Sequence, residues 1–236
     1  GSWRDFNSSF NNSKFGVPVF TYLIFVICSL SLIFSFYVND WVVEPMANNP
    51  TIGPSAETLI LLGAKYTPLV INGESWRLLS ATILHGGILH YVFNMAVWLW
   101  VASAVECVHG TFTTALCFLI AGVGGNVASS IFLPNSVTIG ASGGIFGILG
   151  FCLADILLHW NVIFFSEEGK TTKKVHMKVL AWLILDVVLN CILGFTPFID
   201  SLCHLSGLLF GFLFGIGSIS RIDFKDFFGL KRFLCC

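Results

Sequence analysis

Six stretches of this sequence, each roughly 20 residues long, are apolar enough to lie in lipid. They cover residues 17–38, 84–105, 111–133, 140–160, 177–195 and 201–219. Lipid supplies no hydrogen-bond partner for the peptide group, so a spanning segment must be a helix or belong to a closed barrel. These runs are too long for barrel strands and do not alternate polar with apolar residues. The expectation is therefore an all-α membrane protein with a six-transmembrane-helix bundle. Composition points the same way. Hydrophobic residues make up 56% of the 236 positions and charged residues only 11%, against about 25% charged in a soluble domain. An ordinary soluble globular protein is excluded. With a net charge of -1 and no basic patch interleaved with aromatics, no nucleic-acid partner is expected.

The runs divide the chain into an N-terminal segment (1–16), a membrane domain (17–219) and a C-terminal tail (220–236). Within the membrane domain, residues 39–83 form a long loop between the first two spans. This loop carries four prolines but also Trp41, Leu59, Leu62 and Trp76, too apolar a set for a free linker. It is expected to lie in the membrane interface with short helices of its own. Lysine and arginine placement sets the orientation. Arg4, Lys14, Lys170, Lys173, Lys174, Lys178, Arg221, Lys225, Lys231 and Arg232 fall on the side of the termini, and only Lys65 and Arg77 on the other. Both termini are thus expected in the cytosol, with the long loop outside.

Serine and histidine are dispensable for crossing a bilayer, which draws attention to Ser142 and His204. Ser142 opens the fourth run within Gly140-Ala141-Ser142-Gly143, and His204 lies at the start of the sixth. Both runs begin on the outer side, so topology brings the two residues to one depth. Glycine and serine are common wherever membrane helices touch, and on the Gly-Ala-Ser-Gly segment alone packing is the better reading. An ionisable side chain inside a span is a functional candidate by default, and His204 shifts the balance. Gly207, Gly211 and Gly215 form one smooth stripe and Gly143 with Gly147 another. Close packing of these stripes would set the serine beside the histidine. A helix amino end also presents unpaired amides that favour developing negative charge.

His85, His90 and Asn94 cluster at the start of the second run. His90 and Asn94 share a helix face and are candidate oxyanion donors; the bland alternative is a polar collar at the interface. A zinc site is not expected, because His-Glu-x-x-His and any CxxC pair are absent. Asp200, four residues before His204, has the spacing of a third catalytic member and equally of a helix cap; the cap is favoured. Asp155 and Asp186 lie inside runs without assigned partners. Asp186 is the feature that would suit a proton-coupled transporter. The terminal Cys235-Cys236 is a weak S-acylation signal.

Taken in order, these motifs resemble the rhomboid intramembrane serine proteases over about residues 17–217. Trp76-Arg77 resembles the family's outer-loop pair, and His85 to Asn94 its second-helix signature. Glu106 with Gly110 resembles the turn after that helix. Gly140 to Gly143 resembles the nucleophile motif, and His204 to Gly207 with Gly211 the base motif. Asn49 to Ser55, followed by Leu62-Gly63-Ala64, resembles the eukaryotic secretase-type branch. The resemblance implies a Ser142–His204 dyad without cofactor or metal. His90, Asn94 and the Ser142 amide would hold the oxyanion. Phe146 would stack on the histidine, with His85, Gly140, Gly143, Trp76, Arg77, Glu106, Gly207 and Gly211 in support. Because the family works with a dyad, it argues against Asp200 as a catalytic acid. Cys203 and Ser206 depart from the small residues usual around the base. The implied substrates are single-span membrane proteins cut near their outward end after entry beside the fifth span, in the plasma membrane or the secretory pathway. A catalytically inactive client-binding relative, and less so a small transporter, are the alternatives.

Overall fold

The structure is a computed structural model in which residues 17–161, 177, 180, 181, 184 and 200–219 are described. In chain order these form α1 (Val19–Val38), α2 (Ala56–Leu61), β1 (Lys65–Tyr66), α3 (Thr67–Ile71), α4 (Arg77–Ser80), α5 (Ile88–His109), α6 (Thr111–Phe132), β2 (Val137–Thr138), α7 (Ser142–Leu158) and α8 (Ser201–Ser218). α1, α5, α6 and α8 are long and apolar enough to cross a membrane, and α7 is a shorter apolar helix. The chain is thus a helical membrane bundle. In the fifth apolar run only Met177, Leu180, Ala181 and Ile184 are described, all helical. Asp186, the cations between 162 and 176, and both terminal segments lie outside the described residues.

Two boundaries differ from the sequence expectation, each for a local reason. The second run becomes helical only at Ile88, not at 84. Gly86 and Gly87 are pressed against the outer loop; a Cβ at Gly87 would lie 2.3 Å from the Thr51 carbonyl oxygen. That loop also caps the helix. The first amides of α5 have no partner within the helix, and Ile88 N–H donates to Ile52 O at 3.0 Å and Leu89 N–H to Thr51 O at 3.1 Å. His85 consequently lies before the helix and not on the face shared by His90 and Asn94. The fourth run starts at Ser142 because Gly140, at φ +121°, holds a backbone conformation that side chains resist. An all-α description also misses a ladder in which Lys65 pairs with Thr138 and Tyr66 with Val137. Two residues per strand are too few to leave an alternating pattern.

α7 runs through the centre of the bundle, buried without interruption from Gly143 to Phe151. Small residues permit this. A Cβ at Gly147 would lie 2.0 Å from the Ala121 Cβ on α6, and one at Gly144 would lie 2.4 Å from the Phe118 ring. On its α8 side, a Cβ at Gly207 would lie 2.2 Å from Gly143 O. Around this axis, Trp98 and Phe118 pack edge to face at 4.8 Å, and the Trp98 indole donates to Thr21 O at 2.9 Å.

The start of α1 has no cap of its own, since Pro18 precedes it. Glu106, near the end of α5, supplies one. Its carboxylate accepts from Phe20 N–H at 2.9 Å, Thr21 N–H at 2.8 Å and the Thr21 hydroxyl at 2.7 Å. It also accepts from Thr111 Oγ1 at 2.7 Å, across the one-residue turn at Gly110. One side chain thus joins three helix ends. Hydrogen bonds to a charged group contribute about 1.5–3 kcal/mol each, and buried donors left unpaired carry a further cost. Glu106→Ala is expected to lower stability by about 2–4 kcal/mol, read as a lowered midpoint in thermal or detergent unfolding. An unchanged midpoint would refute the cap.

Candidate active site

Ser142 is the first residue of α7 and His204 lies in the first turn of α8. The glycine contact between these helices removes the usual side-chain layer, so backbone meets backbone: a Cβ at Gly211 would lie 1.9 Å from Gly147 O. The approach brings His204 Nε2 to 2.6 Å from Ser142 Oγ. The imidazole is buried, and it lies flat on the Phe146 ring, with centroids 4.7 Å apart and an interplanar angle of 0°. Phe146, one turn after the serine, fixes the ring plane so that Nε2 faces the hydroxyl. His204 Nδ1 has no hydrogen-bond partner among the described residues. An imidazole nitrogen at this distance from an alcohol can take its proton as the oxygen forms a bond to carbon.

Asp200 does not complete a triad. It is the N-cap of α8, accepting from Cys203 N–H at 2.9 Å through Oδ1. Its other oxygen accepts from the hydroxyls of Thr138, at 2.6 Å, and Ser129. Cys203, the departure next to the histidine, is buried with its sulfur between Gly125 and Gly143, where either Cβ would lie 2.9 Å from it.

His90 flanks the serine on the α5 side. A Cβ at Gly140 would lie 2.9 Å from both Cε1 and Nε2 of the His90 ring, so glycine there lets the imidazole reach the strand that leads into Ser142. His90 Nδ1 accepts from Gly86 N–H at 3.4 Å, which selects the tautomer with hydrogen on Nε2, the atom facing Gly140. Asn94 follows one turn later, buried, and donates from Nδ2 to His90 O at 3.1 Å. That bond occupies one of its two amide hydrogens. His85 lies behind the site. It is fully buried and edge-on to His90 and Tyr91, each at 5.4 Å.

The remaining supports are more distant. Arg77 is buried and donates to Ile60 O at 2.5 Å, Ala64 O at 3.2 Å and Glu74 at 2.8 Å, binding the outer loop to itself. Trp76 covers Gly63 and stacks on that guanidinium at 4.8 Å. Asp155, unpartnered in the sequence reading, faces His159 Nδ1 at 2.9 Å and His109 Nε2 at 3.4 Å at the other end of α7. Among the described residues no group of three or more His, Cys, Asp or Glu side chains is arranged to hold a metal ion. Lys65, Ser129 and Thr138 are the polar groups that sequence reasoning missed. Their types carry no signal of their own, and only the fold brings them to Asp200.

A family model described as the rhomboid domain matches residues 72–221. The chain is similar to RHOMBOID-like protein 4 of Arabidopsis thaliana, 34% identical over 80% of this chain and 45% of the relative. It is similar to Rhomboid protease GluP of Bacillus subtilis, 35% identical over 84% of this chain and 34% of the relative. Inactive RHOMBOID-like protein 8 of Arabidopsis thaliana is 29% identical over 77% of this chain and 48% of its own length. The chain therefore spans half or less of the length of these relatives.

Proposed function

Because the chain belongs to the rhomboid family, we propose that it is an intramembrane serine protease working through Ser142 and His204. The observation that carries this reading is the 2.6 Å approach of His204 Nε2 to Ser142 Oγ, with the ring held flat on Phe146. In the first step Ser142 Oγ attacks the scissile carbonyl and its proton passes to His204 Nε2. The carbonyl oxygen takes the negative charge, facing the Ser142 amide at the start of α7, His90 Nε2–H and the second amide hydrogen of Asn94. Collapse breaks the C–N bond, His204 returns the proton to the leaving amine, and an ester remains on Ser142. Water then attacks that ester, His204 takes a proton from it, and the acid is released as Ser142 regains its hydrogen.

Six spans with both termini in the cytosol would put the serine and histidine just below the outer rim of the bilayer, where water can reach them. A substrate helix hides its peptide bonds in backbone hydrogen bonds and must unwind locally first. Single-span proteins with helix-weakening residues near their outward end are the substrates proposed, since such residues lower the unwinding cost. They would enter beside the fifth span, in the plasma membrane or the secretory pathway.

A fluorophosphonate probe tests the reading, because it labels a serine only when an adjacent base activates it. The purified protein is expected to gain the adduct at Ser142, located by peptide mass, and to cut members of a panel of single-span substrates. A folded protein that neither labels nor cuts would be a client-binding relative, and the protease reading would fall.

A further inference from the structure

We propose that Asp200 is a positioning residue for the Ser142–His204 pair, its carboxylate tying the strand that delivers the serine to the helix that delivers the histidine. This rests on the reading of those two residues as nucleophile and base. Asp200 Oδ1 caps α8 through Cys203 N–H at 2.9 Å, and Asp200 O accepts His204 N–H at 3.1 Å. Oδ2 accepts the Thr138 hydroxyl at 2.6 Å. Thr138 ends β2, four residues before Ser142. Ser129 on α6 bonds the same oxygen. The carboxylate therefore touches the elements on both sides of the 2.6 Å contact, while neither of its oxygens bonds the histidine ring.

The outer loop meets β2 through Lys65, whose charge acts on this carboxylate. Lys65 pairs across the ladder with Thr138 and is fully buried. Its ammonium donates to Ser136 O and Ser136 Oγ, each at 3.1 Å, in the turn that feeds β2. Burial pulls the ammonium below its ordinary value, and the charge of Asp200 opposes that pull. Burial alone would raise the Asp200 carboxyl; the bonds from Ser129, Thr138 and the Cys203 amide, together with Lys65, outweigh it and hold the group below its usual range. Asp200 is thus an ionised anchor with fixed partners. A cap alone would need only Oδ1. The bonds to Oδ2 set where β2, and hence Ser142, stands relative to α8.

The test compares Asp200→Asn, Thr138→Val and Thr138→Ser with the wild type. Active sites are counted by fluorophosphonate titration, and kcat and KM are measured per titrated site on one single-span substrate. Asp200→Asn keeps the cap acceptor and loses the charge; Thr138→Val loses only the hydroxyl. Both are expected to lower kcat per site by about tenfold to a hundredfold, the scale of a misplacement near 1 Å, with KM within about twofold. Thr138→Ser is expected to restore most of the rate. Wild-type kcat per site in Asp200→Asn and Thr138→Val, with only the folded fraction reduced, would leave Asp200 a cap and overturn the proposal. So would failure of serine to rescue. Should Asp200→Asn not fold, the Thr138 pair decides. A wild type that neither labels nor cleaves removes the dyad, and this proposal with it.

Discussion

Ser142→Ala and His204→Ala are each expected to abolish cleavage, with loss of rate on the order of 10⁴-fold or more, and the double variant is expected to be no worse than either alone. The reason is geometric. His204 Nε2 has the Ser142 hydroxyl as its partner at 2.6 Å, so each residue without the other has nothing to do: an alcohol without a base is a weak nucleophile, and the base without the alcohol has no acyl acceptor to activate. Two groups acting as one unit give non-additive losses. Asn94→Ala removes one of the oxyanion donors proposed above and is expected to cost less, about 10²–10³-fold. Both Ser142→Ala and His204→Ala should fold, since each keeps its backbone in place and the Phe146 ring remains to fill the site. Product mass over a time course, normalised to folded protein, is the measurement. Cleavage surviving in either single variant, or losses that multiply in the double, would remove the dyad.

The apolar runs made the helical membrane bundle legible, because mean hydropathy over 20 residues needs no tertiary information. Helix starts were less legible. Ile88 begins α5 because residues 51 and 52 satisfy its first amides, a contact between segments some 37 positions apart that hydropathy does not register. Depth in the membrane brought Ser142 and His204 to one level on paper, whereas the separation depends on backbone approach between α7 and α8. The glycine spacing announced a smooth face but not the atom it meets. Asp155 shows both limits at once: His159, four residues later, lies at helical spacing, while His109 is brought by a different helix. Lys65 appeared in the sequence only as one of two outer cations. Its burial follows from the Lys65–Thr138 pairing, too short a ladder to foresee. Glu106 could be placed near a turn by sequence, but its bonds to Phe20 and Thr21 span 86 and 85 positions.

Gly211→Ala is expected to lose nearly all activity, although residue 211 lies almost two turns beyond the histidine. The added Cβ would stand 1.9 Å from Gly147 O and 2.5 Å from Gly147 C and Cα. These are backbone atoms of a central helix, so no side chain can swing aside. α7 is held on its far side as well, where Gly147 faces the Ala121 Cβ with no room for another atom. α8 must therefore retreat by about 1 Å or more to regain van der Waals contact. Overpacking of this kind costs about 1–3 kcal/mol. The larger effect is on chemistry, because His204 rides on the helix that moves and a shift of about 1 Å at a reacting pair can cost 10²-fold. Gly207→Ala, whose Cβ would meet Gly143 O at 2.2 Å, is expected to behave alike. Gly217→Ala separates the steric argument from a general intolerance of substitution: it lies on the same helix, a Cβ there meets nothing within 4 Å, and alanine favours a helix over glycine. Gly217→Ala should match the wild type in unfolding midpoint and turnover. Equal behaviour of the variants at 211 and 217 would mean that backbone contact between α7 and α8 does not hold the serine and the imidazole together.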